Sequence, residues 1–294
     1  MPLTERMDAV KLLIQPNLDK EGAAACAEEV CRIVRQLQME PLMEEALAGR
    51  FSHLAGVRFG PAEEVYEECA VCIAIGGDGT ILHTAKCMMP RVRPVLGINL
   101  GRLGFLATLE PNQLHLLSRL ATGEYQLEHR MLLAVDYTAG GKTQRFLALN
   151  DAVVSKSEMA KIVDMEVCCG EKLVGSYRAD GIILATPTGA TAYSLSAGGP
   201  IVDPTIDGIC MTPICPHSLF SRTILFSGES VLQIRPTVPG QKLFVTVDGV
   251  EGGPFFYGDL LTVRRSEVRV PLINLTGNQF YEVLNNKLLR RAYE

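Results

Sequence analysis

Short apolar runs alternate with helix-like stretches in the first part of the chain. The runs Ala9–Gln15, Val71–Ile75 and Val95–Asn99 are short and rich in aliphatic residues, as is typical of parallel strands buried on both faces. Three intervening stretches predict helices: 23–39, 41–47 and 80–88. Strands that alternate with helices predict an α/β domain with a parallel, Rossmann-like sheet, which binds ligands at the carboxyl ends of its strands.

The pattern changes near Tyr125 to short strand-like runs separated by turn residues. These runs predict strands over 132–137, 146–154, 162–168, 181–186, 225–226, 231–234, 243–247, 260–264 and 268–275. Turn signals such as Ala139-Gly140-Gly141 and Asp248-Gly249 separate them. This half therefore predicts an antiparallel β domain, either a sandwich or a barrel. The amphipathic stretch Asn278–Leu289 predicts a final helix.

Length and composition narrow the class of protein. The 294 residues favour two domains, and 47% apolar against 21% charged residues favours a folded core. A net charge of −5 argues against a general nucleic-acid binder, whose affinity comes from clustered cations. Because no transmembrane or secretory segment is visible, we expect a cytoplasmic protein that binds neither nucleic acid nor a membrane.

The nine cysteines predict reduced thiols and not a disulfide framework, since their number is odd and the chain is large. Cys69 and Cys72 have the spacing of a redox or zinc pair, but no second pair follows at the spacing of a zinc ribbon. We therefore expect both side chains to pack in the core.

The segment Gly76–Thr80, Gly-Gly-Asp-Gly-Thr, is the most specific glycine cluster in the chain. It directly follows a buried-type strand and precedes a helix-like stretch. Closely spaced glycines let a bound group approach the backbone, whose N–H groups at a helix start favour an anion. The pattern predicts a phosphate-binding loop, and its alternative is a tight turn with Asp78 as a helix cap. Other glycine clusters match neither a Walker loop nor the dinucleotide fingerprint.

Gly76–Thr80 resembles a signature shared by NAD kinases, diacylglycerol and sphingoid lipid kinases and, more loosely, phosphofructokinases. The longer stretch Asp180–Pro200 is very similar to the long signature of NAD kinases, which is a far more demanding match. Asn150-Asp151, Asn99–Leu106 and Pro213–Ser218 resemble three further segments of that family. The chain thus resembles a bacterial-type NAD kinase over nearly its whole length.

The resemblance implies both a fold and a reaction. The fold is an α/β domain over residues 1–118 and a β-rich domain over 119–275, with a helix over 276–294 packing back on the first domain and the active site in the crevice between them. The reaction is transfer of the γ-phosphoryl group of ATP to the 2′-hydroxyl of the adenosine ribose of NAD, giving NADP. Mg²⁺ or another divalent cation is expected to arrive with ATP, and the chain is expected to form a homodimer or homotetramer.

The resemblance also assigns roles to individual residues. Asp78 is the candidate catalytic residue, which orients the 2′-hydroxyl and accepts its proton late in phosphoryl transfer. Asn150 carries the donor and acceptor that read an adenine edge, and Asp151 suits ribose hydroxyls, although a turn at the end of a strand explains this pair as well. The other candidates for nucleotide binding are Gly76, Gly77, Gly79, Lys161, Arg178, Asp180, Thr191, Ala192, Tyr193, Ser194 and Ser196.

Two cations and one carboxylate complete the candidate site. Lys161 and Arg178 are expected near the dinucleotide phosphates, with a solvated surface as the alternative for both. By resemblance, Asp180 is expected to accept a hydrogen bond from the nicotinamide carboxamide. Thr191, Ala192, Tyr193 and Ser196 resemble positions that line the NAD pocket, and a helix start at Thr188–Thr191 is the alternative. Arginine at position 178 favours NAD over NADH, by resemblance to NAD-preferring members. Lys156 stands near a place where the family frequently has arginine.

Two other functions stay open at this point. A lipid kinase of the diacylglycerol type shares Gly76–Thr80, but it has no use for Asn150-Asp151 together with Asp180–Pro200. A non-catalytic dinucleotide sensor would use the same pocket, and the presence of Asp78 argues against it. Formation of NADP, activity on a lipid hydroxyl, or binding without turnover would separate the three.

Overall fold

The computed structural model describes residues 9–101, 104–157, 161–218, 221–277 and 280–285. The chain forms two compact units, one made of residues 1–129 and 270–294 and the other of residues 130–269. From the sequence, the domains were predicted over 1–118 and 119–275, with the final helix returning to the first.

The first unit is built from short parallel strands and intervening helices. Its elements are β1 (Lys11–Pro16), α1 (Ala23–Gln36), β2 (Glu40–Glu44), α2 (Ala48–Phe51), β3 (Arg58–Gly60), α3 (Ala62–Glu68), β4 (Val71–Gly76), α4 (Asp78–Met88), β5 (Val95–Asn99) and α5 (Ser118–Thr122), with 3₁₀ turns at Glu45–Leu47, Met89–Arg91 and Pro111–Leu117. The strand order is β3-β2-β1-β4-β5, and each neighbouring pair is parallel. The predicted parallel α/β domain is confirmed.

Helix α1 packs one face on this sheet. Its buried residues recur at helical spacing: Ala23, Cys26, Ala27, Val30, Cys31 and Val34. All of them except Ala23 share a core with Leu12 and Ile14 of β1 and with Ile73 and Ile75 of β4. Strand β4 is buried along its whole length, as the continuous apolar run predicted. The sheet therefore places the end of β4, and the glycine loop that follows it, at a fixed position.

Cys69 and Cys72 both lie in the interior of the first unit, so the prediction of core packing is confirmed. Burial raises the pKa of the Cys69 thiol to about 11 and raises the pKa of Cys72 well above its ordinary value. Because the thiolate is the reactive and metal-binding form, burial leaves both groups chemically inert.

The prediction of a helix over 41–47 was wrong. Residues Glu40–Glu44 form strand β2, and only the 3₁₀ turn Glu45–Leu47 follows it. Leu42 pairs with Leu13 of β1 on one side and with Arg58 of β3 on the other. Three consecutive residues of β2 are buried, which a strand between two neighbours allows and a surface helix does not.

The second unit is an antiparallel β structure. Its elements, of which the first and last strands extend past the unit boundaries, are β6 (Gln126–Ala139), β7 (Lys142–Ala148), β8 (Asp151–Lys156), β9 (Val163–Cys169), β10 (Lys172–Ala179), β11 (Gly181–Ala185), α6 (Tyr193–Ser196), β12 (Gly208–Ile214), β13 (Ile224–Ser227), β14 (Leu232–Pro236), β15 (Leu243–Val247), β16 (Val250–Phe255) and β17 (Leu260–Asn274). One sheet has the order β13-β12-β11-β8-β15-β16, and a second contains β10-β9-β14-β17. Side chains of both sheets share one core, which includes Ile182 and Val245 of the first sheet and Val167 and Ile234 of the second. Of the two predicted architectures, the unit is therefore a sandwich.

Several strand predictions in the second unit need correction. The single run predicted over 146–154 divides into β7 and β8, which belong to different sheets and are separated at Leu149 and Asn150. Strands β10, β12 and β16 were not predicted, and the two runs predicted over 260–264 and 268–275 form one strand, β17. The division after Ala148 matters most, because Leu149 and Asn150 form a corner at which the chain passes from one sheet to the other.

The last described helix, α7 (Phe280–Leu284), falls within the predicted stretch 278–289. The ring of Phe280 lies 6.1 Å from the ring of Phe105, in the same unit. The remainder of the predicted C-terminal helix lies outside the described residues. None of the described helices is long and apolar enough to span a membrane.

Candidate active site

The glycine loop of the first unit joins the carboxyl end of β4 to the start of α4. Strand β4 ends at Gly76, and α4 begins at Asp78. A Cβ at position 76 would overlap the hydroxyl of Thr80 and would lie 2.8 Å from its Cβ. The Thr80 hydroxyl in turn accepts a hydrogen bond of 3.2 Å from the side-chain amide of Asn17, in the loop after β1. Gly76 is thus required by packing within the protein.

Gly77 and Gly79 are different, because neither packing nor conformation requires a glycine there. A Cβ at either position would meet no heavy atom of the described residues within 4 Å. Gly77 has φ −114° and ψ −173°, an extended conformation that any residue adopts, and Gly79 lies within the first turn of α4. The described part of the chain leaves both glycines unexplained, and the close approach of a bound group would explain them.

Asp78 is held by the loop that follows β5. Its Oδ2 accepts a hydrogen bond of 2.8 Å from the N–H of Phe105, and its Oδ1 accepts one of 3.1 Å from the N–H of Leu106. A Cβ at Gly104 would overlap Oδ1 and would lie 2.8 Å from Oδ2. The half-buried carboxylate therefore has a fixed orientation, and only glycine at 104 leaves room for it.

Asp248 holds the corner between β7 and β8 in the second unit. Its Oδ2 accepts a hydrogen bond of 2.9 Å from the N–H of Leu149, and its Oδ1 accepts bonds of 2.8 and 3.0 Å from the N–H groups of Asn150 and Asp151. Asp248 and Gly249 have φ of 49° and 75°, the left-handed pair of a type I′ turn between β15 and β16. The candidate residues Asn150 and Asp151 thus lie on a constrained backbone.

Thr186 ties the same corner to the segment that follows β11. Its hydroxyl donates a hydrogen bond of 2.5 Å to the carbonyl of Leu149 and accepts one of 2.9 Å from the N–H of Gly189. The N–H of Thr186 donates to the carbonyl of Asn150 at 2.8 Å, and a Cβ at Gly189 would overlap that carbonyl. The structure therefore brings Asn150 and Asp151 next to the start of the predicted 191–196 segment.

The 191–196 segment consists of a 3₁₀ turn, Gly189–Thr191, and the short helix α6. Tyr193 is 46% exposed, Ser196 is exposed, and Thr191 and Ala192 are partly exposed. Ser194 is fully buried, and its hydroxyl shares a hydrogen bond of 2.8 Å with the hydroxyl of Thr212. The burial of Ser194 counts against a direct contact between its side chain and a ligand, whereas the other four remain accessible.

The remaining candidate residues line a cavity of about 730 Å³ in the second unit. Its lining residues include Lys161, Arg178 and Asp180, together with Lys156 and His217. The ammonium group of Lys156 forms an ion pair with Asp180 at 2.7 Å. The side chain of Arg178 is 67% exposed, and its Nε lies 4.0 Å from a carboxylate oxygen of Asp164. Three cations and one carboxylate thus line one open cavity.

Sequence reasoning missed the residues that support the site. Asp248 was recognised only as part of a hairpin turn, and no role was given to Thr186, Gly104 or Phe105. The Asp-Gly pair signals the turn, but the sequence does not signal which distant N–H groups the carboxylate binds.

Residues 12–125 match the family profile of the ATP-NAD kinase N-terminal domain, and residues 149–275 match that of the ATP-NAD kinase C-terminal domain. The NAD kinase of Symbiobacterium thermophilum is 41% identical over 92% of this chain and 96% of its own length. The NAD kinase of Moorella thermoacetica is 40% identical over 92% of this chain and 87% of its own length.

Solved structures have the same fold. Yeast NADH kinase, complexed with NADH, superimposes with a TM-score of 0.87 at 25% identity, covering 96% of this chain and 88% of the yeast chain. An NAD kinase from Archaeoglobus fulgidus, in complex with ATP, gives a TM-score of 0.71 at 24% identity, covering 95% of this chain and 98% of its own. The chain belongs to the ATP-NAD kinase family. This membership decides against the lipid-kinase alternative.

Proposed function

We propose that this NAD kinase transfers the γ-phosphoryl group of ATP to the 2′-hydroxyl of the adenosine ribose of NAD, with Asp78 as its catalytic residue. The observation that carries the assignment is the fixed Asp78 carboxylate. It lies between Gly77 and Gly79, which packing among the described residues does not explain. A rigid carboxylate beside exposed backbone suits a reaction that depends mainly on alignment and charge neutralisation.

In the proposed step the 2′-oxygen bonds to the γ-phosphorus, and the bond from that phosphorus to the oxygen bridging the β-phosphorus breaks, so that ADP leaves with its electron pair. Asp78 orients the hydroxyl and takes its proton late. The N–H groups of Phe105 and Leu106 fix the carboxylate, and an ionised carboxylate has about four acceptor sites in all. The backbone N–H groups near Gly77 and Gly79 are proposed to donate hydrogen bonds to phosphate oxygens of ATP.

Asn150 is proposed to read the adenine of NAD through its amide donor and acceptor, and Asp151 to accept from ribose hydroxyls. The support comes from the corner itself, whose N–H groups bind Asp248 and whose carbonyls bind Thr186. A side chain on a constrained backbone loses less conformational freedom when it binds. Asp151 is largely buried, so its proposed partner is a ribose hydroxyl at the edge of the corner.

The cavity lined by Lys161, Arg178 and Asp180 is proposed to hold the pyrophosphate and the nicotinamide end of NAD. Cations near phosphate oxygens form charge-assisted hydrogen bonds. Asp180 is assigned to the carboxamide N–H₂, and its ion pair with Lys156 keeps the carboxylate oriented into the cavity. We also propose that Arg178 favours NAD over NADH as acceptor.

A divalent cation, Mg²⁺ in this proposal, accompanies ATP. Among the described residues there is no group of three or more side chains that could hold a metal ion. Phosphate oxygens and water suit Mg²⁺, which commonly takes only one or two protein carboxylates. When bound in this way, the ion would offset the negative charge of the ATP phosphates.

The chain is proposed to act as a homodimer or homotetramer. Strand β13 ends its sheet in the described part of the second unit, and it exposes Ile224 and Leu225 by 36% and 50%. An edge strand with exposed aliphatic side chains is a surface on which a second copy can pair. Light scattering should give two or four times the mass of one chain, and the mass of a single chain would contradict the proposal.

One assay tests the function directly. The purified chain is incubated with ATP and Mg²⁺ and with NAD or NADH as acceptor, and the phosphorylated product is quantified. NADP formed faster than NADPH supports the reaction and the acceptor preference. Clear preference for NADH contradicts the role of Arg178, and binding of NAD without turnover identifies a dinucleotide sensor instead.

A further inference from the structure

One carboxylate of the second unit accepts hydrogen bonds from the N–H groups of three consecutive residues. Asp248 accepts from Leu149, Asn150 and Asp151 at 2.8 to 3.0 Å, and its own N–H donates to the carbonyl of Asp151 at 2.9 Å. Hydrogen bonds to a charged group contribute more than neutral ones, so the corner depends strongly on this side chain.

Leu149 and Asn150 lie outside the strand ladders of the described residues, at the point where the chain changes sheets. Strand β7 ends at Ala148 and pairs with β6, whereas β8 begins at Asp151 and pairs with β11 and β15. Leu149 and Asn150 lie between the two ladders, where buried or half-buried N–H groups need another acceptor. Asp248, which has a left-handed φ of 49°, supplies it.

We infer that Asp248 is a positioning residue of the NAD site, which holds Asn150 and Asp151 in the geometry that binds the adenosine half of NAD. The inference rests on the proposed function of those two residues. Asp248 acts through their backbone and touches no substrate itself. Without the carboxylate, three N–H groups lose their acceptor together. The backbone that carries the Asn150 side chain is then no longer held in place.

The second unit offers a matched control. Asp259 also accepts two backbone N–H groups, from Gly140 at 3.1 Å and from Phe256 at 2.8 Å. Gly140 and Phe256 lie at turns that carry none of the proposed NAD-binding residues. Replacing Asp259 therefore removes the same kind of interaction from the same unit without altering the Asn150 corner.

The test compares the full-length variants Asp248→Asn, Asp248→Gly and Asp259→Asn with the wild type. Asparagine and glycine both suit the first position of a type I′ turn before Gly249, so the hairpin is kept. Asparagine retains one acceptor oxygen for the N–H groups of Asn150 and Asp151, whereas glycine removes both. Steady-state kinetics give KM for NAD, KM for ATP and kcat, and hydrogen exchange reports the amides of residues 149–151.

We expect KM for NAD to rise about ten-fold in Asp248→Asn and about a hundred-fold in Asp248→Gly, as the loss of one or more hydrogen bonds to a charged group implies. KM for ATP should change less than about three-fold, and exchange at residues 149–151 should accelerate. Asp259→Asn should leave KM for NAD and these amides unchanged, with any loss confined to the melting temperature.

Two results would overturn the inference. One is an unchanged KM for NAD in the folded Asp248→Asn variant. The other is a rise in KM for NAD that Asp259→Asn reproduces, which would indicate general destabilisation. If the wild type forms no NADP, the proposed function fails instead, and hydrogen exchange at residues 149–151 still decides whether Asp248 holds the corner.

Discussion

Two Asp-Gly pairs, one in each unit, use a carboxylate to hold a distant loop. Asp78 accepts the N–H groups of Phe105 and Leu106, and Asp248 accepts those of residues 149–151. The glycines that follow them differ. Gly249 has φ 75°, a left-handed conformation that favours glycine, whereas Gly79 lies in a helical turn with open space where a Cβ would be.

The difference between these glycines distinguishes the hairpin turn at Asp248-Gly249 from the proposed phosphate-binding loop Gly76–Thr80. At position 249 the chain conformation explains the residue completely. At positions 77 and 79 neither conformation nor packing among the described residues does, and the proposed reason is the close approach of a bound group. The Asp-Gly sequence therefore supports a proposed positioning role for Asp248 in the second unit and a proposed catalytic role for Asp78 in the first.

The largest effect is expected from Asp78→Asn. The change keeps the size of the side chain but removes the proton acceptor, so kcat should fall by about 10²–10⁴-fold, the contribution of a positioned base. The dissociation constant for NAD and the melting temperature should stay near those of the wild type. A variant with nearly normal kcat would remove Asp78 from the mechanism.

A smaller loss is expected from Gly104→Ala. The new Cβ would overlap Oδ1 of Asp78 and displace the carboxylate without removing it. A misplacement of about 1 Å lowers a rate by about a hundred-fold, so kcat should fall to that extent while KM for NAD is kept. Gly101→Ala is the matched control, because a Cβ there meets no described atom within 4 Å. Equal kinetics for the two variants would show that the orientation of Asp78 is unimportant.

Gly77→Ala tests the unexplained glycine itself. Because the extended backbone accepts alanine and no described atom lies near the new Cβ, the melting temperature should not fall. If phosphate oxygens approach this backbone, KM for ATP should rise about ten-fold, equivalent to about 1.4 kcal/mol. Gly49→Ala, another position with open space, should leave KM for ATP unchanged. An unaltered KM in both variants would make Gly76–Thr80 an ordinary turn.

The smallest effect concerns the stability of the unit that carries Asp78. Hydrogen bonds from Lys11 and then Arg58 lower the pKa of Glu68 from 4.5 to about 2. Because the pKa is lower in the folded state, this stabilisation is present above about pH 4.5 and is lost as the pH falls towards 2. Urea unfolding should show Glu68→Gln slightly less stable than the wild type at pH 7, with the two converging near pH 2. A difference that stays constant between pH 4.5 and 2 would contradict this origin.

Features with local causes could be predicted from the sequence. The buried runs around Ile73 and Ile98 and the glycine loop between β4 and α4 follow from neighbouring residues, and the structure has them where the pattern indicated. Turn signals likewise predicted the hairpin at Asp248-Gly249.

Features with distant causes could not be predicted. Residues 41–44 form a strand and not a helix because β1 and β3 flank that segment. The break at Leu149 depends on the pairing of β8 with β11 and β15 and on a carboxylate that lies far along the chain. The candidate site shows the same division. The residues proposed to bind the nucleotides stood out by resemblance, whereas Asp248 and Gly104 depend on contacts that the sequence does not reveal.

The most direct test of the central claim is a crystal structure of the Asp78→Asn protein with NAD, ATP and Mg²⁺, since this variant should bind its substrates without turnover. The account predicts that the side-chain oxygen at position 78 lies within about 2.6–3.2 Å of the 2′-hydroxyl of the adenosine ribose. A 2′-hydroxyl beyond hydrogen-bonding reach of that side chain, with NAD and ATP both bound, would contradict it.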